Sequence, residues 1–392
     1  MSTAFLARCV LLLAGIASVA PANSAPLAAI TPQPDAVVAT QLLPRAQKDA
    51  LRRLAGTSNV MDQGQRLAAA QRMIEIGRST GDPRTLGYAE SILAPWPADD
   101  TDAPIEAIVL HAAIAQSRHA FARARTLLDR VVERSAPGVP AFAQAVLTRA
   151  TIVQVTGEPE SARVDCERLI PFARDVAAIC IAATDLIDGH AERAIPILRV
   201  ASQRTSGNVR AWALAVLAQA HEQRGETGSA ASAYRAALDA GDDLVTRLAY
   251  ADFLLAQDSA ATALELLEDA PPTDGVVLRQ WRSVRQLHRD DAPAFEQRLR
   301  TSLDDARRRG DGSDLLHARD WAQFELELGN LAQAKQLAQA NWRDQREPPD
   351  LLVLARVAAA TGDTTMRAEV ADWIERTRLQ DVRIESALRE GS

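Results

Sequence analysis

NVRAWALAVLAQAHEQRGETGSAASAYRAALDAGD, residues Asn208–Asp242, decides the fold. Two alanine-rich segments with helical spacing of apolar residues flank Gly225. Ala218 stands seven residues before that glycine, Ala230 five after and Tyr234 nine after. Two antiparallel helices joined by a tight turn come closest near the turn. Small side chains there let the backbones approach, and a larger residue one turn away fills the side. Glycine ends the first helix because it takes a left-handed conformation without cost.

Working outward, the same punctuation recurs at Gly81, His119, Gly157, Gly189, Asp258, Asp290, Gly329 and Gly362. With Gly225 included, the spacings are 38, 38, 32, 36, 33, 32, 39 and 33 residues. A mid-thirties period is the mark of a stacked helix-pair array. Seven residues before the turns stand Ile74, Ala112, Ala150, Ala182, Ala218, Ala251, Ser283, Ala322 and Ala355. Five after stand Leu86, Ala124, Ala162, Ala194, Ala230, Ala263, Phe295, Ala334 and Arg367. The ninth place after carries Leu128, Cys166, Leu198, Tyr234, Leu267 and Leu299. The expected architecture is all-α, a right-handed superhelix of about nine helix pairs.

Leu214, Leu217-Ala218, Gly225, Ala230, Tyr234 and Ala237 resemble the tetratricopeptide repeat signature in order and spacing. Gln144–Leu169, Ala178–Ala201 and Ala318–Asn341 resemble it more weakly, so the likeness covers roughly residues 60 to 380. The proline that often closes such a repeat is mostly missing, and Phe295 stands where alanine is expected. GDPRTLGYAESILAPW (Gly81–Trp96) and NWRDQREPP (Asn341–Pro349) also look like a group of exported bacterial tetratricopeptide repeat proteins. The resemblance implies a solenoid that binds a partner.

The chain begins with Arg8, an apolar run from Cys9 to Ala20, then Ala20-Pro21-Ala22-Asn23. This is the layout of a secretory signal. The run is too short for a bilayer core, which needs about twenty apolar residues. The expected organisation is a signal at 1–22, an Ala/Pro-rich leader at 23–40 and a capping helix at 41–58. A solenoid at 59–375 and a C-terminal helix and tail at 376–392 follow. The expected location is the bacterial periplasm or the outside, with no stable membrane span after signal removal. Removal leaves Cys166 and Cys180, on consecutive helices. They either form a disulfide, as an oxidising compartment favours, or pack as two small buried residues.

No phosphate loop, dinucleotide fingerprint or G-x-S-x-G turn is present. The histidines, His111, His119, His190, His221, His288 and His317, form no H-E-x-x-H pair. The expectation is therefore no enzyme, no catalytic residue, no metal and no cofactor. The net charge of −7 argues against nucleic acid. First helices of stacked pairs line the concave side, and their inner face is read at 13, 10, 6 and 3 residues before each turn. That row holds Glu75, Arg78, Gln116, Gln144, Gln154, Trp212, Gln219, Glu222, Asp252, Gln280, Arg319 and Gln323. Glutamine both donates and accepts, so such a row suits an extended peptide backbone. The apolar middle, Ile179 to Leu186, is a candidate side-chain pocket. The leading function is a non-catalytic scaffold of the cell envelope that binds a protein or peptide in this groove. The alternatives are an accessory subunit docking through its outer face and, remotely, a glycan-acting enzyme. Self-association into a homo-oligomer is left open.

Overall fold

The computed structural model describes residues 61–80, 82, 84–309 and 317–390. The expected signal, leader and capping helix, 1–58, lie outside the described residues. The described residues form nineteen helices and no strand. Pair 1 is α1 (Gln63–Thr80) and α2 (Arg84–Leu93), pair 2 is α3 (Ile105–Ser117) and α4 (Phe121–Arg134), and pair 3 is α5 (Pro140–Val155) and α6 (Pro159–Glu167). Pair 4 is α7 (Arg174–Ile187) and α8 (Ala191–Arg204), pair 5 is α9 (Gly207–Gln223) and α10 (Thr227–Ala240), and pair 6 is α11 (Leu244–Ala256) and α12 (Ala260–Leu266). Pair 7 is α13 (Asp274–Gln286) and α14 (Ala292–Arg309), pair 8 is α15 (Ala318–Glu327) and α16 (Leu331–Asp344), and pair 9 is α17 (Pro348–Thr361) and α18 (Thr364–Thr377). Helix α19 (Val382–Glu390) closes the stack against α17.

One device ends the first helix of pairs 2 to 9. A residue with left-handed φ follows the helix: His119, Gly157, Gly189, Gly225, Asp258, His288, Gly329 or Gly362. The next amide then reaches back five residues, as in Ala120 N to Ala115 O at 2.9 Å and Glu226 N to His221 O at 2.9 Å. Each such bond satisfies a carbonyl the helix end leaves open and sets the entry angle of the second helix. The small-residue positions do what the sequence asked of them. Ala112, Ala150, Ala182, Ala218, Ala251, Ala322 and Ala355 have no exposed surface, nor have Ala124, Ala162, Ala194, Ala230, Ala263 and Ala334.

Pair 7 departs from the expectation. Its left-handed residue is His288, two places before Asp290. Counting from His288 puts Trp281, fully buried, where the other pairs carry alanine. Its indole meets the Phe324 ring edge-on at 4.9 Å, so an aromatic contact replaces the close approach of backbones. Ser283 had matched the small-residue pattern and hidden the shift.

Helices α6 and α7 are joined across the pair 3–pair 4 boundary by a Cys166–Cys180 disulfide, with Cα atoms 5.6 Å apart. Buried apolar residues then run along the chain in four successive clusters. The two largest span Phe142 to Val276 and Val277 to Ala387.

The array also meets itself. The turn of pair 3 lies against the loop between pairs 8 and 9, where Arg346 N donates to Val155 O at 2.8 Å. A Cβ on Gly157 would strike the Trp373 ring and the Arg346 side chain. The turn of pair 4 is tighter still, since a Cβ on Gly189 would collide with the Arg378 carbonyl. The turn of pair 5 meets α19, with Val382 beside Gly225 and Arg383 bonded to Glu222 at 2.7 Å. One edge of the early pairs thus stacks on the opposite edge of the late ones. The two edges meet along a seam.

Candidate functional site

The inner face is built from first helices, so its residues repeat at helical spacing along successive pairs. Few of the twelve residues expected to line an open groove are free to do so. Gln154 is buried, its Nε2 donating to Cys180 O at 3.1 Å and Thr184 Oγ1 at 2.8 Å. Gln144 is buried too. Gln280 Nε2 donates to Leu267 O at 3.1 Å. Arg78 bonds Ser117 Oγ and Ala113 O, each at 3.3 Å, tying pair 1 to pair 2. Gln116 is part-buried, and its Oε1 lies out of solvent with no protein partner. Trp212 packs on the central apolar cluster. Glu75 is exposed and accepts from Gln71. The Nε2 groups of Gln154 and Gln280 serve bonds to neighbouring helices. The apolar middle is not a pocket either: Ile179 has no exposed surface and Leu186 has 4%. These residues are core because first helices are sandwiched between two second helices.

The structure does bring together residues of pairs 5 to 9 and α19. Glu222 accepts from Tyr234 Oη at 2.8 Å and from Arg383, whose guanidinium also holds Asp381. Burial, and then the Glu222 charge, push the Tyr234 hydroxyl well above the usual phenol range. Asp252 receives Arg279 at 2.6 Å and Arg282 at 2.8 Å. Arg279 reaches on to Asp320 at 2.9 Å, and Arg282 to Glu327 at 2.7 Å. Burial would raise the Asp320 carboxyl, but Arg279 and Arg319 outweigh it and hold it at about 2. Arg319 bonds Asp350 at 3.3 Å. Beside it, burial and the Asp350 charge push Glu347 up to about 7. Glu222, Asp252, Arg319 and Gln323 belonged to the expected row. Arg279, Arg282 and Arg383 did not. Arg383 lies on the last helix, and its contact with Glu222 turns it inward.

One cation in this lattice is unmatched. Arg356, on the inner face of α17, donates from Nη1 to Gln323 Oε1 at 3.4 Å. Among the described residues no carboxylate forms an ion pair with it. Gln323 in turn donates to Glu327 at 2.8 Å, which places Arg356 next to Arg282. Burial, and then the like charge of Arg282, hold its guanidinium below the ordinary arginine range.

Elsewhere the convex side carries a cleft of about 390 Å³ between α8, α9 and α10. His221 lies at its floor with Nδ1 2.6 Å from Glu226 Oε2. Neither Ser229 nor Ser232 on its wall is bonded to that ring, and Ser232 Oγ donates to Gly228 O. Among the described residues no group of three or more His, Cys, Asp or Glu side chains is placed to hold a metal. No described helix is long and apolar enough to cross a membrane.

No family model matches the chain, and no curated protein matches it. Solved structures do. A Rap protein complexed with competence and sporulation factor aligns with 13% identity over 88% of this chain and 94% of its own, at a TM-score of 0.46. A monomeric IFIT1 mutant with Gppp-AAAA aligns with 14% identity over 87% and 84%, at 0.42. The human IFIT1 dimer with PPP-AAAA aligns with 13% identity over 84% and 86%, at 0.42. These are distant likenesses to helical-repeat proteins. The exclusion of nucleic acid drawn from net charge is nevertheless withdrawn. Two of these likenesses were solved with nucleotide chains. A whole-chain charge also says nothing of a local surface where Arg282, Arg356 and Arg383 converge.

Proposed function

We propose that this chain is a non-catalytic binding scaffold that receives a peptide segment of a protein partner in its inner face, with an acidic group of that segment on Arg356. The observation that carries the reading is the guanidinium of Arg356, enclosed beside two other arginines with one long bond to a neutral amide. A guanidinium presents two parallel N–H donors to a two-oxygen anion, and such a bond strengthens where water is excluded. The surrounding acids, Glu222, Asp252 and Glu327, disfavour a highly charged ligand and suit a single carboxylate. In a cell this scaffold acts outside the cytoplasm, a placement that rests on the N-terminal signal pattern alone.

The test is a binding screen of the full chain against mixed-sequence peptides, acidic or with their carboxylates amidated, beside a 5′-triphosphorylated oligoadenylate. Acidic peptides are expected to bind, and Arg356→Gln to weaken them at least about tenfold, one charge-assisted bond. Equal binding of amidated peptides, or binding of the oligonucleotide alone, overturns the reading.

A second reading, docking through the outer face, has its own observation. Val139, Ile170 and Phe172 are each about two-fifths exposed and Val164 is 60% exposed, all on pair 3 and the segments flanking it. Crosslinks from a partner to these residues, with none to first helices, would favour it.

A further inference from the structure

We propose that the seam is a gate: pairs 8 and 9 with α19 part from the turn edge of pairs 3 to 5, and a ligand reaches the inner face through the gap. The use of the gate rests on the binding reading above, whereas its opening does not. The argument starts from what holds each interface. Successive pairs share apolar clusters, and burial of that kind is the main source of cohesion in a folded chain. The seam shares none. Among the described residues, Phe142 to Val276 form one cluster and Val277 to Ala387 the next, and neither joins the turns of pairs 3 to 5 to pair 9.

What crosses the seam is polar or local. Among the described residues one backbone bond joins Arg346 N to Val155 O, and one ion pair joins Arg383 to Glu222. Trp373 and Val382 rest on the glycine turns. The Arg383 and Glu222 side chains are 20% and 11% exposed, so both charges regain water when the seam parts. An interface of this composition opens well below the free energy of global unfolding. Arg279, Arg282 and Arg383 are 6%, 13% and 20% exposed, and Arg383 belongs to α19, an element the seam holds in place. Parting the seam gives a peptide a wider way in to these arginines than the opening at Asp252, which is 38% exposed.

The three glycines at the contact explain how it shuts so closely. Gly157, Gly189 and Gly225 have φ of +81°, +78° and +71°, and each faces an atom of the second coil. Gly329 and Gly362 adopt the same conformation, φ +79° and +65°, in the same kind of turn. A Cβ on either meets nothing within 4 Å. The chain therefore supplies its own control. Alanine at Gly189 strains the turn and wedges the seam, and alanine at Gly329 strains the turn only.

Hydrogen exchange of the full chain reads the gate directly, because the Arg346 amide crosses the seam and bonds only Val155 O. Gly189→Ala should speed exchange at Arg346 and over residues 382–390 at least about tenfold relative to Gly329→Ala, with exchange in α9 unchanged. Equal exchange in the two variants, or an Arg346 amide that exchanges only with the α9 core, overturns the gate. If Gly189→Ala opens the seam but neither form binds acidic peptides, the gate stands and the binding reading falls.

Discussion

Pairs 3 to 5 and pairs 7 to 9 repeat one plan with different materials. In the middle, alanines at the closest approach let helices nest, leucines fill the flanks, and a disulfide spans one boundary. In the distal part Trp281, Trp321, Trp342 and Trp373 are buried as well, and the inner face carries a lattice of arginines and acids. The difference teaches that the repeat constrains the turn and the helix crossing, whereas the filler is free to vary.

The strongest way to break the contrast is Trp281→Ala, which removes the largest filler of pair 7. A loss of about 3–5 kcal/mol is expected by chemical denaturation. Trp281→Phe should cost far less, because the indole nitrogen has no protein partner to lose. Equal losses for the two would mean that the ring's volume is not what matters. Cys166→Ser tests the middle. Closing a segment with a separation of 14 residues contributes about 3 kcal/mol in the chain-entropy account. Added reductant should reproduce the loss in the unmodified protein and change nothing further in the variant.

Acid sharpens the comparison with the smallest effect. The Asp320 carboxyl is held at about 2, below its ordinary 3.8, by Arg279 and Arg319. A group with a depressed folded pKa contributes stability above its unfolded value and loses it as pH falls through the folded one. The share is about 2 kcal/mol, lost between about pH 4 and pH 2. Arg279→Met should flatten that stretch of the pH–stability curve. A curve unchanged by the substitution would remove the ionic lattice from the account of distal stability.

Much of the fold was legible because its cause is local. A left-handed residue, an alanine before it and an alanine after it are read within a dozen positions, and seven of the nine expected turn residues have positive φ. Gly81 lies outside the described residues. Asp290 was misplaced because Ser283 imitates the small position that Trp281 actually fills. The site was less legible. Spacing identified Gln154 as inward-facing, but spacing cannot tell an amide turned to solvent from one bonded to Cys180 and Thr184 of the next pair. Arg383 was absent from the expected row because the contact that turns it inward joins it to Glu222, far off in sequence. No period carries that information.

The bridge between α6 and α7 has a mechanical corollary. A stack drawn apart by its two ends surrenders its hairpins one after another, since each leans only on its neighbours. The strand between Cys166 and Cys180 is short-circuited by its own sulfurs and bears no tension. Full extension therefore falls short of the contour length by about 40 Å, at roughly 3.4 Å per residue, and recovers it when the thiols are freed.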